Sequence, residues 1–165
     1  MIRIRKSTTA DSRTCDVTTV SKRQLYDSSV QHINDVRRGL EFFAAKVMDA
    51  MVEHDPDKLD DIDGFYANFQ TRFAERDWLD RHYEKNRHHL DEPTGIREDI
   101  NLIDVLDYIA DNVMAGMGRS GAVREMKLTP ALLERAFQNT VALLKARVVV
   151  EEPASVAAVD PVSVQ

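Results

Sequence analysis

The chain has 165 residues, 43% of them hydrophobic and 30% charged, with a net charge of −6. That length makes one domain the default, and the composition is that of a soluble, folded chain with a core. No apolar run approaches the roughly 18 residues of a membrane span, the acidic balance argues against an extended nucleic-acid surface, and the single cysteine, Cys15, allows no internal disulfide and fits a reducing cytoplasm.

Residues 1–20 are rich in Thr, Ser and Arg and read as an N-terminal arm, with a short strand at Ile2 to Arg5. The basic start lacks a following apolar stretch, so it does not read as a signal peptide. Ser21 and Gln24 have the spacing of a capping box. A long helix follows, with an apolar stripe through Leu25, Ile33, Val36, Leu40, Phe43, Val47 and Met51. Pro56 sets a boundary at Asp55. Shorter helices are expected over Ile62 to Phe73 and Asp77 to His89, then a loop from Asp91 to Gly95. The next helix should hold Ile100 to Met117, burying Leu102, Val105, Leu106, Ile109, Val113 and Met114. Glycines 116, 118 and 121 should end it. Thr129-Pro130 reads as an N-cap followed by proline at the first helical position. That helix should reach about Lys145 and bury Leu132, Leu133, Ala136, Phe137, Val141 and Leu144. Residues 147–151 suit a short strand paired with the N-terminal arm, and 153–165 read as a mobile tail. The expected fold is all-α, a single-domain helical bundle over residues 21–147, with a short strand pair from the two termini.

The chemistry concentrates in the histidines. All five fall in three short clusters: His32 beside Asn34 and Asp35, His54-Asp55-Pro56-Asp57-Lys58, and His82 followed by Asn86, His88 and His89. Imidazole and carboxylate together make a ligand set for a divalent transition metal (Mn, Fe, Co, Ni or Zn), with Mg also compatible. His54 and Asp55 are the sharpest pair. His82, Asn86 and His89 fall at i, i+4 and i+7 and line one stripe if the helix continues. The bland alternative is a solvated basic face among Arg81, Lys85 and Arg87. Asp104, Asp107 and Asp111 also share a helix face, and three carboxylates repel one another unless a cation or a basic partner lies opposite. Asp111 is the strongest ligand candidate of the three, with Asp104, Asp107 and Asn86 in supporting places. In one straight helix His32 lies about 33 Å from His54, so sharing a metal requires a break, for which Gly39 is the candidate.

Gly116-Met117-Gly118-Arg119-Ser120-Gly121 matches a dinucleotide-binding pattern but follows a helix, so that reading fails its context. Arg119, Arg87 or Lys58 remain candidates to meet a phosphate.

The order His, His-Asp, further His, then Asp on a late helix resembles the HD-domain phosphohydrolase superfamily. The wording His54-Asp55-Pro56-Asp57-Lys58, Asn86-Arg87-His88-His89, Asn101 to Leu106, and Ala115 to Gly121 is similar to a bacteriophage family of small, uncharacterised HD-like proteins. The resemblance covers roughly residues 10–147. It implies an all-α fold and one or two divalent metals, with His32 as first ligand, His54 and Asp55 as the doublet and Asp111 as the last, and His89 is added as a further candidate ligand. It also implies phosphoester chemistry and a cytoplasmic location, that of the host if the chain is phage-encoded. The expectation is a metal-dependent phosphohydrolase acting on a small phosphorylated molecule such as a nucleotide. Lys58, His82 and His88 are its catalytic candidates, Arg87 and Arg119 its phosphate contacts; homo-oligomerisation is left open. The rival from another class is a non-catalytic accessory protein that binds a host factor, with a structural metal or a polar His/Asp network. A second rival is an all-α nucleotide pyrophosphohydrolase using Mg on the acidic helix.

Overall fold

The computed structural model describes residues 1–7, 9, 11–91 and 96–152. The reading of 153–165 as a tail, and the loop from Glu92 to Gly95, lie outside the described residues. The described residues divide into two compact units, one drawn from residues 1–39 and 147–152, the other from residues 40–146. No described helix is long and apolar enough to cross a membrane.

In the first unit, β1 (Ile2–Arg5) pairs in parallel with β2 (Val148–Glu151), in the register Ile2 to Val148 and Arg5 to Glu151. The pair suits the β-branched run Val148-Val149-Val150. Arg3 and Glu151 form an exposed ion pair across it. The first helix, α1 (Lys22–Glu53), starts at the expected capping box: Gln24 N–H donates to Ser21 Oγ, and Ser21 N–H donates to Gln24 Oε1. Ser28, the buried residue of α1, bonds the arm through Ser7 and Thr9.

The second unit contains the end of α1, then α2 (Asp57–Asp60), α3 (Ile62–Gln70), α4 (Asp77–Lys85), α5 (Leu102–Ser120) and α6 (Pro130–Lys145). Leu90, Ile100, Val105, Tyr108, Leu132 and Ala136 form its core, flanked by Ile96, Leu102 and Leu128. Helix α5 begins with a capping box between Asn101 and Asp104, and α6 with Thr129 accepting from Leu132 N–H, followed by Pro130. Asn139 and Thr140 on α6 bond the backbone of Ile100 and Leu102, which fixes how α6 lies on the start of α5.

The structure corrects three expectations here. Helix α5 runs through Gly116 and Gly118 and stops at Gly121, which is left-handed at φ 72°. Gly116 has a different role: a Cβ there would stand 2.4 Å from the carbonyl oxygen of Ala122, so the glycine lets the following loop fold back on α5. Helix α4 ends at Lys85 rather than His89. Finally, the apolar stripes are only partly covered. On α5 the buried residues are Ile103, Asp104, Val105, Tyr108, Asn112 and Gly116, whereas Leu106, Ile109 and Met114 are exposed. On α6, Leu133, Phe137 and Val141 are exposed, as are Leu25, Ile33, Val36, Leu40, Val47 and Met51 on α1. Periodicity marks a face as apolar without saying what meets it.

Candidate metal centre

Helix α1 stops at Glu53, and His54 and Asp55 form the turn that follows. Pro56 disfavours right-handed helical backbone at the residue before it. Asp55 takes the left-handed region instead, at φ 51°, which aspartate tolerates better than most side chains. The short helix α2 follows immediately and carries Asp57 and Lys58 back beside the doublet. Lys58 Nζ bonds Asp55 Oδ2.

Helix α4 supplies His82. Trp78, one turn earlier, stacks on its ring with centroids 5.0 Å apart, and Trp78 itself donates to Asp61, the N-cap of α3. Asn86 then joins the pieces. Its amide donates to Asp57 Oδ1 at 2.9 Å and to the His82 carbonyl at 3.0 Å, and its Oδ1 accepts the Asp55 N–H at 3.2 Å. These bonds hold Asn86 in extended backbone, which is the physical reason α4 ends before it. His88 and His89 therefore reach the site from a turn, not along a helical stripe.

Four imidazoles present Nε2 to this turn. His82 Nε2 and His88 Nε2 lie 3.5 and 3.4 Å from Asp55 Oδ1, and His54 Nε2 lies 3.6 Å from Asp55 Oδ2. His89 Nε2 is 2.8 Å from His82 Nε2. Among the described residues, two groups have ligand atoms close enough to share an ion: His54, Asp55 and His88; and Asp55, His82 and His89. Asp55 belongs to both.

The opposite ring nitrogens face carboxylates. His54 Nδ1 is 2.9 Å from Asp107 Oδ1, His88 Nδ1 is 3.4 Å from Asp107 Oδ2, and His82 Nδ1 is 2.9 Å from Asp57 Oδ2. A carboxylate at Nδ1 selects the tautomer with its proton there and leaves Nε2 as a lone pair. His88 Nε2 faces Asp55 Oδ1 at 3.4 Å. Both atoms are buried and neither has a hydrogen-bond partner. Two buried acceptors facing each other are costly unless a cation lies between them. The donor set, neutral imidazole plus carboxylate, therefore fits a divalent transition metal.

The electrostatics agree. Burial lowers the His82 pKa and takes that of His89 down to about 3. Both rings are held neutral, the state that ligates. Burial is the largest influence on Asp55 and raises its pKa. The hydrogen bond and the charge of Lys58 work the other way, and the pKa ends lowered, so Asp55 is ionised.

The cluster touches two openings. His54 and Asp107 stand on the wall of an otherwise mostly apolar groove of about 410 Å³. His88 and His89 line a smaller cleft of about 260 Å³ with Asp111 and Arg124.

The expected residues sort as follows. His54, Asp55, His82, His88 and His89 come together. His82 and His88, expected as catalytic groups, place Nε2 among the potential ligand atoms. Lys58 contacts the site through Asp55, and Asn86 and Asp107 support it. His32 is in neither group: Gly39 is helical, α1 is unbroken, and His32 belongs to the first unit. Asp111 is in neither group, although it lines both openings. Its carboxylate lies 3.8 Å from Arg124, while Asp107, one turn earlier on α5, meets the histidines. Asp104 and Arg87 pair with each other through two bonds of 2.7 and 2.8 Å, and Arg87 also holds Asp99. Asp104 thus caps α5 rather than supporting the site, and the Arg87 fork is occupied rather than open to phosphate. Arg119 sits exposed near the end of α5. The acidic stripe needs no shared cation, because each of its three carboxylates meets a different basic partner. Asp57 was missed as a partner of His82; its one signal was its place two residues after the doublet.

Comparison with family models, with curated proteins and with solved structures returns no match.

Proposed function

We propose that the chain is a metal-dependent phosphohydrolase of the HD type, acting on a small phosphorylated molecule, nucleotides included. The observation that carries the reading is the pair of buried, partnerless acceptors, Asp55 Oδ1 and His88 Nε2, at 3.4 Å. His54, Asp55 and His88 would hold one divalent ion, and His82 and His89, with Asp55 shared, a second. A metal bound there lowers the pKa of water and polarises a phosphoryl oxygen.

The protein's own groups supply the rest. Asp107 and Asp57 fix the tautomers and aim the rings. Asn86 holds the doublet turn against α4. Lys58 neutralises Asp55 and sets a positive charge where a phosphate would meet the site. His54 keeps a third of its side chain exposed, and the cluster opens on both the groove and the cleft. That access favours catalysis over a purely structural metal, which the protein would enclose.

The test pairs metal content with turnover. Protein purified without chelator is assayed for Mn, Fe, Co, Ni and Zn, and for phosphate release from a panel of nucleotides and aryl phosphates. The reading expects bound metal, metal-dependent release, and loss of both in Asp55→Ala with the helical circular dichroism retained. A variant that keeps metal and turnover overturns it. Metal lost together with a sharply lower melting temperature, and no turnover by the parent, supports a structural ion instead.

A further inference from the structure

The apolar groove beside the centre is built from the end of α1 and one face of α5, both within the second unit. Val47, Ala50 and Met51 form a stripe on α1 that ends at His54, in steps of three and four residues. Leu106, Ala110 and Met114 face them at four-residue steps on α5. Val47, Met51, Leu106 and Met114 are between 42% and 72% exposed. Apolar side chains gathered on an exposed, concave surface mark a binding groove. Its volume of about 410 Å³ lies within the range of small-ligand sites, roughly 300–1,000 Å³. His54 belongs both to this wall and to a ligand group of the centre, so a molecule lying in the groove reaches the centre.

We propose that the groove holds the organic part of the substrate, which makes the preferred ligand a phosphate ester of an apolar alcohol; this rests on the phosphohydrolase reading of the centre. The lining chooses the class. Besides His54, its polar side chains are Asp107 and Asp111. Asp107 faces Nδ1 of His54 and of His88, and Asp111 lies 3.8 Å from Arg124. No described residue of the lining is a lysine, an arginine, an amide, a hydroxyl or an aromatic side chain. A nucleobase or sugar placed there gives up hydrogen bonds to water without replacement, and a further phosphate meets two carboxylates. An alkyl group gives up only its contact with water, which is favourable, and Met51 and Met114 adapt to its shape. Hydrolysis adds water across the phosphorus–oxygen bond. Inorganic phosphate forms at the centre, and the alcohol, carrying a proton from that water, leaves through the groove.

The test uses the full chain loaded with Mn. Phosphate release is followed for straight-chain alkyl phosphates from ethyl to octyl and for adenosine monophosphate. Along the series kcat/KM should rise about two- to fourfold per methylene, and octyl phosphate should exceed the nucleotide by at least about 10-fold. Met114→Asp sets a charge in the groove about 10 Å along α5 from Asp107, from seven residues at 1.5 Å each. Met114 is 72% exposed, so the fold should stand. The octyl-to-ethyl ratio, taken within each protein, is blind to lost metal or lost folded protein, and it should fall at least about 10-fold in the variant. Calorimetry with ethylphosphonate and octylphosphonate, which are not hydrolysed, reads the groove without turnover. Octylphosphonate should bind at least about 50-fold tighter, with a negative heat-capacity change. Equal phosphonate affinities, release indifferent to chain length, or an octyl preference unchanged in Met114→Asp each overturns the proposal, even in an active phosphohydrolase. Chain-dependent phosphonate binding without release from any ester supports the ligand class and overturns the hydrolase reading instead.

Discussion

Asp107 Oδ1 lies 2.9 Å from His54 Nδ1, reaching from the second turn of α5 to the turn that ends α1. Its other oxygen lies 3.4 Å from His88 Nδ1. One carboxylate therefore orients two candidate ligands, and the asymmetry of an amide would break that arrangement. Asp107→Asn keeps the shape but retains a single acceptor oxygen. Metal affinity should fall by about 10- to 100-fold, the usual cost of losing a carboxylate behind a ligating histidine. Competition against a chromogenic chelator measures it, and an unchanged affinity would show that Asp107 does not govern the rings.

Arg87 separates fold from site. It is a natural candidate for phosphate by residue type, yet its fork is spent on Asp104, whose side chain is 7% exposed, and on Asp99. Arg87→Met should cost about 3 kcal/mol of stability, because it strands a buried carboxylate. The low end of the usual range applies, since Arg87 keeps 28% of its own side chain in solvent. Urea titration reads the loss, and metal affinity should stay within about twofold. A variant of normal stability whose turnover collapses would return Arg87 to the phosphate.

Tyr108 gives a pH signature away from the ligands. Burial and its bond to Asp91 push its pKa up to about 12, against the Lys127 N–H, which bonds the phenol oxygen and works the other way. The unfolded phenol ionises near 10. Between those values the folded protein holds a proton the unfolded chain has lost, so stability is unaffected below pH 10 and falls above it by up to about 1.4 kcal/mol per pH unit. Absorbance at 295 nm should show a tyrosine ionisation near pH 12. In Tyr108→Phe that step should vanish. A native titration complete by about pH 10.5 would mean that Tyr108 is not buried as described.

The features legible in the sequence were local ones. The Ser21 and Gln24 box, the Thr129-Pro130 start of α6 and the strand at Ile2 each depend on a few neighbouring residues, and each stands where expected. The histidines that gather were also visible as clusters. What depended on distant packing was not. Choosing Asp107 over Asp111 required knowing which turn of α5 stands level with His54. Ending α4 at Lys85 required the Asn86 bonds to Asp55 and Asp57, thirty-one and twenty-nine residues away in sequence. The apolar stripes of α1, α5 and α6 were read correctly as apolar, but exposure of Leu40, Leu106 and Phe137 follows from what packs on each helix.

The central claim is that a cation belongs between Asp55 and His88. Crystals grown from protein loaded with Mn or Co and measured at the metal edge test it directly. The account predicts an anomalous peak within about 2.0–2.3 Å of Asp55 Oδ1 and His88 Nε2, with His54 completing the set. Metal-loaded crystals with no peak there, or with the peak at His32 or Asp111, would contradict it.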